Sequence, residues 1–258
     1  MSELVTMKQH EEVAVITLNA PKTRNALARE VQMQLLDHLK TAAGDLSIKA
    51  IVLTGEGGHF CSGGDLNNMI AERTLTEGRE RVAMGGEIAR ALMAGPKPVI
   101  AAVEGYAAGA GFSLAVAADY VVASTQSNFI SAFCKVGLIP DIGMLWALAQ
   151  KTSLSQAKRI IASARKLGAE EAQRLGIVDD LAEPGQVMDA AMAIAKEFSA
   201  GAPLPMAMIK QAYARGINSL EDALRCEMDN QSSLYLTKDH REAISAFLDK
   251  RQPQFKGC

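Results

Sequence analysis

The chain has 258 residues, of which 48% are hydrophobic and 22% are charged. This composition supports one substantial buried core and excludes a disordered or collagen-like protein. The formal net charge is only -2, and no basic stripe is interleaved with aromatic residues, so nucleic-acid binding is disfavoured.

Several features of the sequence bear on its cellular compartment. Charged residues and glycines interrupt the apolar stretches before they reach the ~20 residues that span a bilayer, so we expect no transmembrane helix. The N-terminus has neither the pattern of a secretory signal nor the bias of a transit peptide. The four cysteines lie far apart without a CxxC pair, which argues against a zinc site or a disulfide framework. We therefore expect a cytoplasmic protein with reduced thiols, no metal and no membrane contact.

The first half of the chain alternates short apolar runs with helical patterns. The runs VAVITLN (13–19) and AIVLTG (50–55) predict strands, and the residues between them show the apolar spacing of a helix. A further helix is predicted over about 77–93, followed by buried strands at PVIAAVEG (98–105) and YVVAST (120–125). Nearly continuous apolar strands indicate an α/β protein whose sheet is covered on both faces.

Beyond residue 140 the pattern becomes helical, and IVDDLA (177–182) is the only remaining strand candidate. The last two helices are predicted from Ser219 to about Leu236 and from Asp239 to Lys250. Their apolar faces must pack either on the parent core or on a sister subunit. A boundary near residue 199 divides the chain into a core, residues 1–198, and a C-terminal helical region, residues 199–258.

Two glycine-rich segments each follow a predicted strand. GEGGHFCSGGDL (55–66) contains five glycines among its twelve residues, and GYAAGAGFSLA (105–115) runs into a helical pattern. Free N–H groups at such helix starts favour an anion or a developing oxyanion. Neither segment matches the phosphate-binding patterns GxxxxGK[ST] or GxGxxG. Taken singly, each is equally compatible with an ordinary connection or with close packing of a helix on a sheet.

Three more motifs accompany these segments: PKTRNAL (21–27), GLIPDIG (137–143) and AFLDKRQPQF (246–255). With its motifs in this order and spacing, the sequence resembles the enoyl-CoA hydratase/isomerase, or crotonase, superfamily over nearly its whole length. Within that superfamily, its motifs most resemble those of the phenylacetate-pathway isomerases. The resemblance implies a crotonase-like spiral of β-β-α turns, a C-terminal helical trimerisation region, and a homotrimer or dimer of trimers. It also implies an acyl-CoA thioester as substrate and no cofactor beyond the CoA moiety.

The resemblance further assigns roles to individual residues. The backbone N–H groups of Gly64 and Ala110 fall where the family's oxyanion hole polarises the thioester carbonyl. The residues then expected to contact CoA are Arg24, Ser62, Asp65, Leu66, Phe247 and Lys250. Without the resemblance, Arg24 and Lys250 are more simply surface charges, Phe247 a core residue and Asp65 a helix cap.

The glutamates with which hydratases of this family activate water are absent. Their positions fall at Ser113 and Phe133, so no carboxylate pair is available to orient water. Asp141, in GLIPDIG, falls where phenylacetate-pathway isomerases carry a catalytic aspartate. From the local sequence alone Asp141 is an ordinary N-cap, and a helix N-terminus would lower its basicity. Its position in the family instead favours a catalytic role.

A single carboxylate suits a double-bond shift. We therefore predict an acyl-CoA isomerase that converts a 3-enoyl-CoA into a 2-enoyl-CoA, or performs a related ring isomerisation on an aromatic-derived CoA thioester, with Asp141 as the acid/base. The apolar residues expected to wall this pocket are Phe133, Leu138, Ile139 and Trp146.

Three alternatives stay open. They are an enoyl-CoA hydratase, a CoA-thioester hydrolase or dehalogenase with Asp141 as nucleophile, and a non-catalytic acyl-CoA-binding protein. A Ser-His-Asp hydrolase is disfavoured because no GxSxG elbow is present. His59, beside the first glycine-rich segment, is the histidine nearest to the expected chemistry.

Overall fold

The strands form two sheets of different size. The computed structural model describes residues 3–65, 72 and 74–258. In chain order its strands are β1 (Val5–His10), β2 (Val13–Leu18), β3 (Ala50–Gly55), β4 (Val99–Val103), β5 (Tyr106–Ala108), β6 (Tyr120–Ser124), β7 (Asn128–Ile130), β8 (Lys166–Gly168) and β9 (Asp180–Ala182). The larger sheet has the order β1-β2-β3-β4-β6-β9 and is parallel except for the β1-β2 pair. The smaller sheet has the order β5-β7-β8.

The helices follow the strands in the order that the sequence pattern predicts. They are α1 (Arg29–Gly44), α2 (Leu75–Met93), α3 (Ala110–Ala117), α4 (Met144–Lys151), α5 (Leu154–Ser163), α6 (Ala169–Arg174), α7 (Val187–Ser199), α8 (Pro203–Arg215), α9 (Leu220–Leu234) and α10 (Lys238–Leu248). Short 3-10 helices lie at Pro21–Thr23 and Ala132–Val136. Within the described ranges, no helix is long and apolar enough to cross a bilayer.

Both faces of the larger sheet are buried, as the continuous apolar strands predict. Alternate residues of β3 point to opposite faces, so Leu53 joins the main core while Val52 joins a second cluster on the other face. Helix α7 covers that second face through Val187, Ala191 and Ala195. The sheet therefore presents only its edges and the ends of its strands, and the ends of β3 and β4 lead into the glycine-rich segments.

Four strands escaped the sequence analysis: β1, β5, β7 and β8. The prediction that IVDDLA is the only strand beyond residue 140 is wrong, because β8 pairs with β7 in antiparallel register. Strands β5, β7 and β8 have three residues each, which is too short for a periodic apolar pattern to show. They form only because distant segments supply their hydrogen-bond partners.

The C-terminal helices attach to the core mainly through α8. The ammonium of Lys210, only 4% exposed, forms an ion pair with Asp119 and donates a hydrogen bond to the carbonyl of Leu92 at 2.8 Å. Beyond α8, the structure describes no buried side chain on α9, and α10 buries only Asp239 and Ala246. The apolar residues of these last two helices are thus left uncovered by their own core.

Candidate active site

The two glycine-rich segments lie side by side. The N–H of Cys61 donates to the carbonyl of Tyr106 at 3.0 Å, and the N–H of Ala108 donates to the carbonyl of Cys61 at 2.9 Å. These bonds form a parallel bridge between the first segment and β5. The two turns, which the local sequence treats separately and only the family resemblance joins, therefore lie next to each other in the fold.

Close approach of the turns requires a glycine at position 63. Gly63 has a φ of 98°, and a Cβ built there would lie 2.6 Å from the carbonyl oxygen of Ala108 and 3.3 Å from the nitrogen of Ala110. Any side chain would force the turns apart. The carbonyl of Gly63 is fixed in turn by the N–H of Leu27 at 2.8 Å.

The N–H groups of Gly64 and Ala110 are the donors that this arrangement leaves free. Ala110 is the first residue of α3 and follows Gly109 as N-cap, so its N–H belongs to the unpaired first turn of the helix. Among the residues that the structure describes, neither N–H has a hydrogen-bond acceptor. Their neighbour Gly109 is held through its own N–H by the carbonyl of Ile130 at 2.8 Å. Two unpaired donors on adjacent turns can stabilise a developing oxyanion.

A buried asparagine that the sequence analysis overlooked braces the first turn. Asn25 is fully buried; its Nδ2 donates to the carbonyls of Glu56 and His59 at 2.9 and 2.7 Å, and its Oδ1 accepts the N–H of Ala20 at 2.9 Å. Its left-handed φ of 58° suits an asparagine. The motif PKTRNAL contains Asn25 directly after Arg24, but no local pattern in it indicates that the asparagine is buried.

Cys61 adds a second brace beneath the turn. Its thiol donates to the carbonyl of Asn25 at 3.0 Å, and the N–H of Gly63 donates to its sulfur at 3.4 Å. Complete burial, with a smaller contribution from the negative charge of Asp141, raises the pKa of the Cys61 thiol to about 12, against the opposing effect of the hydrogen bond from Gly63. The thiol is therefore a structural hydrogen-bonding group at neutral pH, and Asp141 lies near enough to act on it electrostatically.

Asp141 is not the N-cap that its local sequence indicates. Helix α4 begins at Met144 with Gly143 as N-cap and has no side-chain cap. The Oδ1 atom of Asp141 is buried and has no hydrogen-bond partner among the described residues. Burial raises the pKa of the Asp141 carboxyl, opposed by its own backbone N–H and by the charge of Arg81. A half-buried carboxyl with one buried, unpaired oxygen and a raised pKa has the properties of a general acid/base.

The two positions expected to hold glutamates are both buried. Ser113 is fully buried in α3, and its Oγ donates only a long 3.4 Å hydrogen bond back to the carbonyl of Gly109. Phe133, in the second 3-10 helix, is 7% exposed. Neither can transfer a proton as a carboxyl would. Of the four residues expected to wall the pocket, only Phe133 is buried; Leu138, Ile139 and Trp146 are 48%, 71% and 39% exposed.

The residues expected to contact CoA separate into two groups. Arg24 and Ser62 are adjacent: the N–H of Ser62 donates to the carbonyl of Arg24 at 2.9 Å, and the exposed Arg24 side chain is free to reach an anion. Asp65 follows on the same turn, and Leu66 lies outside the described residues. Phe247 and Lys250 lie at the end of α10, and in the described part of the chain no hydrogen bond or ion pair connects them with Arg24 or Ser62.

His59 has a structural role. Its Nδ1 accepts the N–H of Tyr106 at 3.4 Å, and the two rings lie 5.5 Å apart. Among the described residues, no group of three or more histidine, cysteine, aspartate or glutamate side chains could hold a metal ion.

The fold and its paired glycine turns match a known protein family. A family model described as enoyl-CoA hydratase/isomerase matches residues 8–258. The chain belongs to the enoyl-CoA hydratase/isomerase family. Its resemblance to this family in motif is thereby confirmed over nearly the whole chain.

Relatives of this hydratase/isomerase family member carry two kinds of name. A 1,2-epoxyphenylacetyl-CoA isomerase of Escherichia coli (strain K12) is 35% identical over 261 residues, with 100% of both chains covered. A probable enoyl-CoA hydratase of Rhodobacter capsulatus is 38% identical over 248 residues, covering 96% of this chain and 95% of the relative. The relatives thus support acyl-CoA hydratase/isomerase chemistry and leave open which of the two reactions this member performs.

A solved structure establishes the fold. The crystal structure of an enoyl-CoA hydratase from Polaromonas sp. JS666 matches with a TM-score of 0.91 at 35% identity, covering 97% of this chain and 99% of the other. The predicted crotonase-like spiral with a helical C-terminal region is therefore confirmed. The role of that region in trimer formation stays a prediction.

Proposed function

We propose that this family member is an acyl-CoA isomerase that moves the double bond of a 3-enoyl-CoA into conjugation with the thioester, or performs a related ring isomerisation on an aromatic-derived CoA thioester. One observation carries the proposal: Asp141 does not cap α4, its Oδ1 is buried without a partner among the described residues, and the two glutamate positions hold Ser113 and Phe133 instead of further carboxyls. The 35% identity to a named epoxyphenylacetyl-CoA isomerase supports it.

The proposed reaction moves one proton. The N–H groups of Gly64 and Ala110 donate to the thioester carbonyl oxygen, which makes the protons on the adjacent carbon more acidic. The ionised Asp141 removes one of these protons, and the electron pair delocalises over the double bond and the carbonyl as a dienolate. The carboxylic acid returns the proton at the γ-carbon, which re-forms the carbonyl and leaves a conjugated double bond. Since no electrons are exchanged, no cofactor beyond the CoA of the substrate is needed.

The raised pKa of Asp141 favours both proton removal from the α-carbon and proton return to the γ-carbon. A carboxyl at its ordinary pKa would be a weak base toward carbon; burial raises that pKa and brings it closer to the working pH. The apolar ring of Phe133 at a glutamate position also leaves no group to orient water. The contacts proposed for CoA are Ser62 on the first turn and the adjacent Arg24, with Asp65, Leu66, Phe247 and Lys250 as further candidates.

The experiment that tests the proposal measures proton transfer and water addition together. Wild type, Asp141→Asn and the surface control Glu87→Gln are incubated with 3-enoyl-CoA and 2-enoyl-CoA esters in deuterated water, and the products are analysed by mass spectrometry. We expect wild type and Glu87→Gln to conjugate the 3-enoyl ester without a gain of water, and Asp141→Asn to lose this activity with binding largely retained. Hydration of the 2-enoyl ester that persists in Asp141→Asn would refute the mechanism.

Hydration is the second candidate, because a relative that covers nearly the whole chain is named a probable hydratase. In the same assay it gives a product heavier by one water rather than an isomer of equal mass. Hydrolysis of the thioester, with Asp141 as nucleophile, releases free CoA. Tight binding of the esters without turnover would indicate a non-catalytic acyl-CoA-binding protein. The four outcomes are therefore separated by deuterium incorporation without a gain of water, by a gain of one water, by free thiol, and by binding without any product.

We further propose that the C-terminal helices associate with copies of the same chain, as a homotrimer or dimer of trimers. Leu220, Leu224 and Met228 lie on α9 at spacings of four, and each is at least 48% exposed. An apolar face of this kind is costly to leave in water. Light scattering after size exclusion should give a multiple of three chains, and Leu224→Glu with Met228→Glu should release monomer; a monomeric wild type would refute the assembly.

A further inference from the structure

The residue after Asp141 has an unfavourable backbone conformation. Ile142 has a φ of 48°, a left-handed conformation that is rare for a β-branched side chain. Such a residue costs roughly 1–3 kcal/mol and persists only where its surroundings hold it. Ile142 is 4% exposed, so the packing around its side chain provides that constraint.

Helix α2 supplies the packing through residues that share one of its faces. Arg81 and Gly85 are four residues apart and therefore lie one above the other on the helix surface. The charge of Arg81 acts on the carboxyl of Asp141, and a Cβ built on Gly85 would lie 3.2 Å from Cγ1 of Ile142. Successive turns of α2 thus lie beside successive residues of the loop.

The same face continues for one more turn. A Cβ built on Gly143 would lie 3.4 Å from the Cβ of Ala89, and Ala89 follows Gly85 by four residues. Gly143 is also left-handed, with a φ of 73°. Two left-handed residues in succession turn the chain between Asp141 and the start of α4, and this turn leaves the Asp141 side chain off the helix N-terminus.

We propose that Gly85 and Ile142 are a positioning pair for Asp141. Because Gly85 has no Cβ, the Ile142 side chain packs closely against α2. This packing holds the Asp141 carboxyl away from the N-terminus of α4 and keeps its Oδ1 buried. The inference rests on the proposed function, since it concerns the acid/base of that reaction. Gly85 and Ile142 do not touch the substrate in this proposal; they act through Asp141.

Helix α2 offers a matched control for testing the pair. Gly86 is the next residue in the same helix, and a Cβ built there would meet only Nη1 of Arg90, at an ordinary 3.8 Å. Gly85→Ala and Gly86→Ala therefore gain the same helix propensity, and only the first displaces Ile142. We expect Gly85→Ala to lower kcat of the isomerisation by about tenfold with KM within twofold of wild type, because displacements well below 1 Å already misalign reacting groups. Gly86→Ala should match wild type.

The pH profile separates positioning from a merely structural effect. Among the described residues, Arg81 from α2 is the charged group that acts on Asp141. The charge of Asp141 acts in turn on the Cys61 thiol of the first turn. Because Gly85→Ala changes the burial of Asp141, the acid limb of its kcat/KM profile should move relative to wild type. A variant that only loosens the fold would lower Tm and leave that limb in place, which would overturn the proposal.

A double variant keeps the test decisive if Gly85→Ala alone does not fold. In the Ile142→Ala background there is no Cγ1 to displace, so adding Gly85→Ala should change kcat by less than twofold. A tenfold loss in that background, or a double variant that also fails to fold, would overturn the pairing.

Asp141→Asn, measured in the same assay, separates the two proposals. If it abolishes isomerisation while Gly85→Ala and Gly86→Ala behave alike, the positioning pair is wrong and the proposed function stands. If Asp141→Asn is fully active, the acid/base role is wrong, and the pair loses its function with it.

Discussion

Asp141 should destabilise the folded protein at neutral pH. Its Oδ1 is buried without a partner, and a buried polar group left unsatisfied costs about 1–3 kcal/mol, more when it is charged. Asp141→Asn keeps the shape of the side chain and removes the charge. We expect the free energy of unfolding to rise by about 1–2 kcal/mol, which corresponds to a Tm increase of roughly 2–8 °C for a chain of this size.

The pH dependence of this effect has a definite sign. Burial raises the pKa of Asp141 in the folded state above its ordinary value of 3.8, so the folded protein binds this proton more tightly than the unfolded chain does. The carboxyl therefore contributes stability at pH values below 3.8, and this contribution is lost as the pH rises through the folded-state pKa. The Tm advantage of Asp141→Asn should be largest at pH 7.5 and shrink as the pH is lowered toward 4.

Asp45→Asn is a control for which we expect a change in Tm of the opposite sign. The hydroxyl and N–H of Ser47 donate to the Asp45 carboxylate at 2.7 and 2.8 Å and hold its pKa below the ordinary value. That substitution should lower Tm at pH 7.5, and the difference should fade as the pH falls through the folded-state pKa of Asp45. Thermal unfolding followed by circular dichroism at fixed protein concentration measures both variants. If Asp141→Asn melts at or below the wild-type temperature at pH 7.5, the argument from burial is refuted.

Three further predictions concern the buried polar groups of Cys61, Lys210 and Asn25. Because burial raises the pKa of Cys61 to about 12, iodoacetamide at pH 8 should label the exposed Cys134 but reach Cys61 only after unfolding, as peptide mass spectrometry will show; labelling of native Cys61 would contradict its burial. Lys210→Met should lower the free energy of unfolding by about 3–5 kcal/mol by stranding the Asp119 carboxylate, and Lys210→Met/Asp119→Asn should regain part of it in urea titrations. Asn25→Ala should lower the free energy of unfolding by about 2–4 kcal/mol, because the carbonyls of Glu56 and His59 lose their donor. It should also reduce kcat more than it raises KM. Unchanged steady-state kinetics would show that Asn25 does not position the first turn for catalysis.

The local sequence determines much of the fold. The apolar runs at 13–19 and 50–55 specify β2 and β3, the helical spacing between them specifies α1, and α2 is predicted to within two residues at each end. These elements are readable because each carries its own periodic pattern of buried side chains. The absence of both hydratase glutamates is likewise a property of the sequence by itself.

The tertiary structure decides what the glycine turns and Asp141 can do. The two turns lie side by side because the backbone of Cys61 hydrogen-bonds to both Tyr106 and Ala108, across more than forty positions of chain. The family resemblance assigns Gly64 and Ala110 to one oxyanion hole, but the residues of either turn by themselves do not predict this contact.

Asp141 shows the same limit most clearly. Its neighbours in sequence predict an N-cap, and a helix does follow. The left-handed conformation of Ile142 instead turns the Asp141 side chain away from the start of that helix. Gly85, which is far away in sequence, leaves the space that this conformation of Ile142 needs. Local propensity measures what a residue prefers among its nearest neighbours, whereas a strained conformation is stabilised by packing against a distant element. That packing is what leaves Oδ1 of Asp141 buried and without a partner among the described residues.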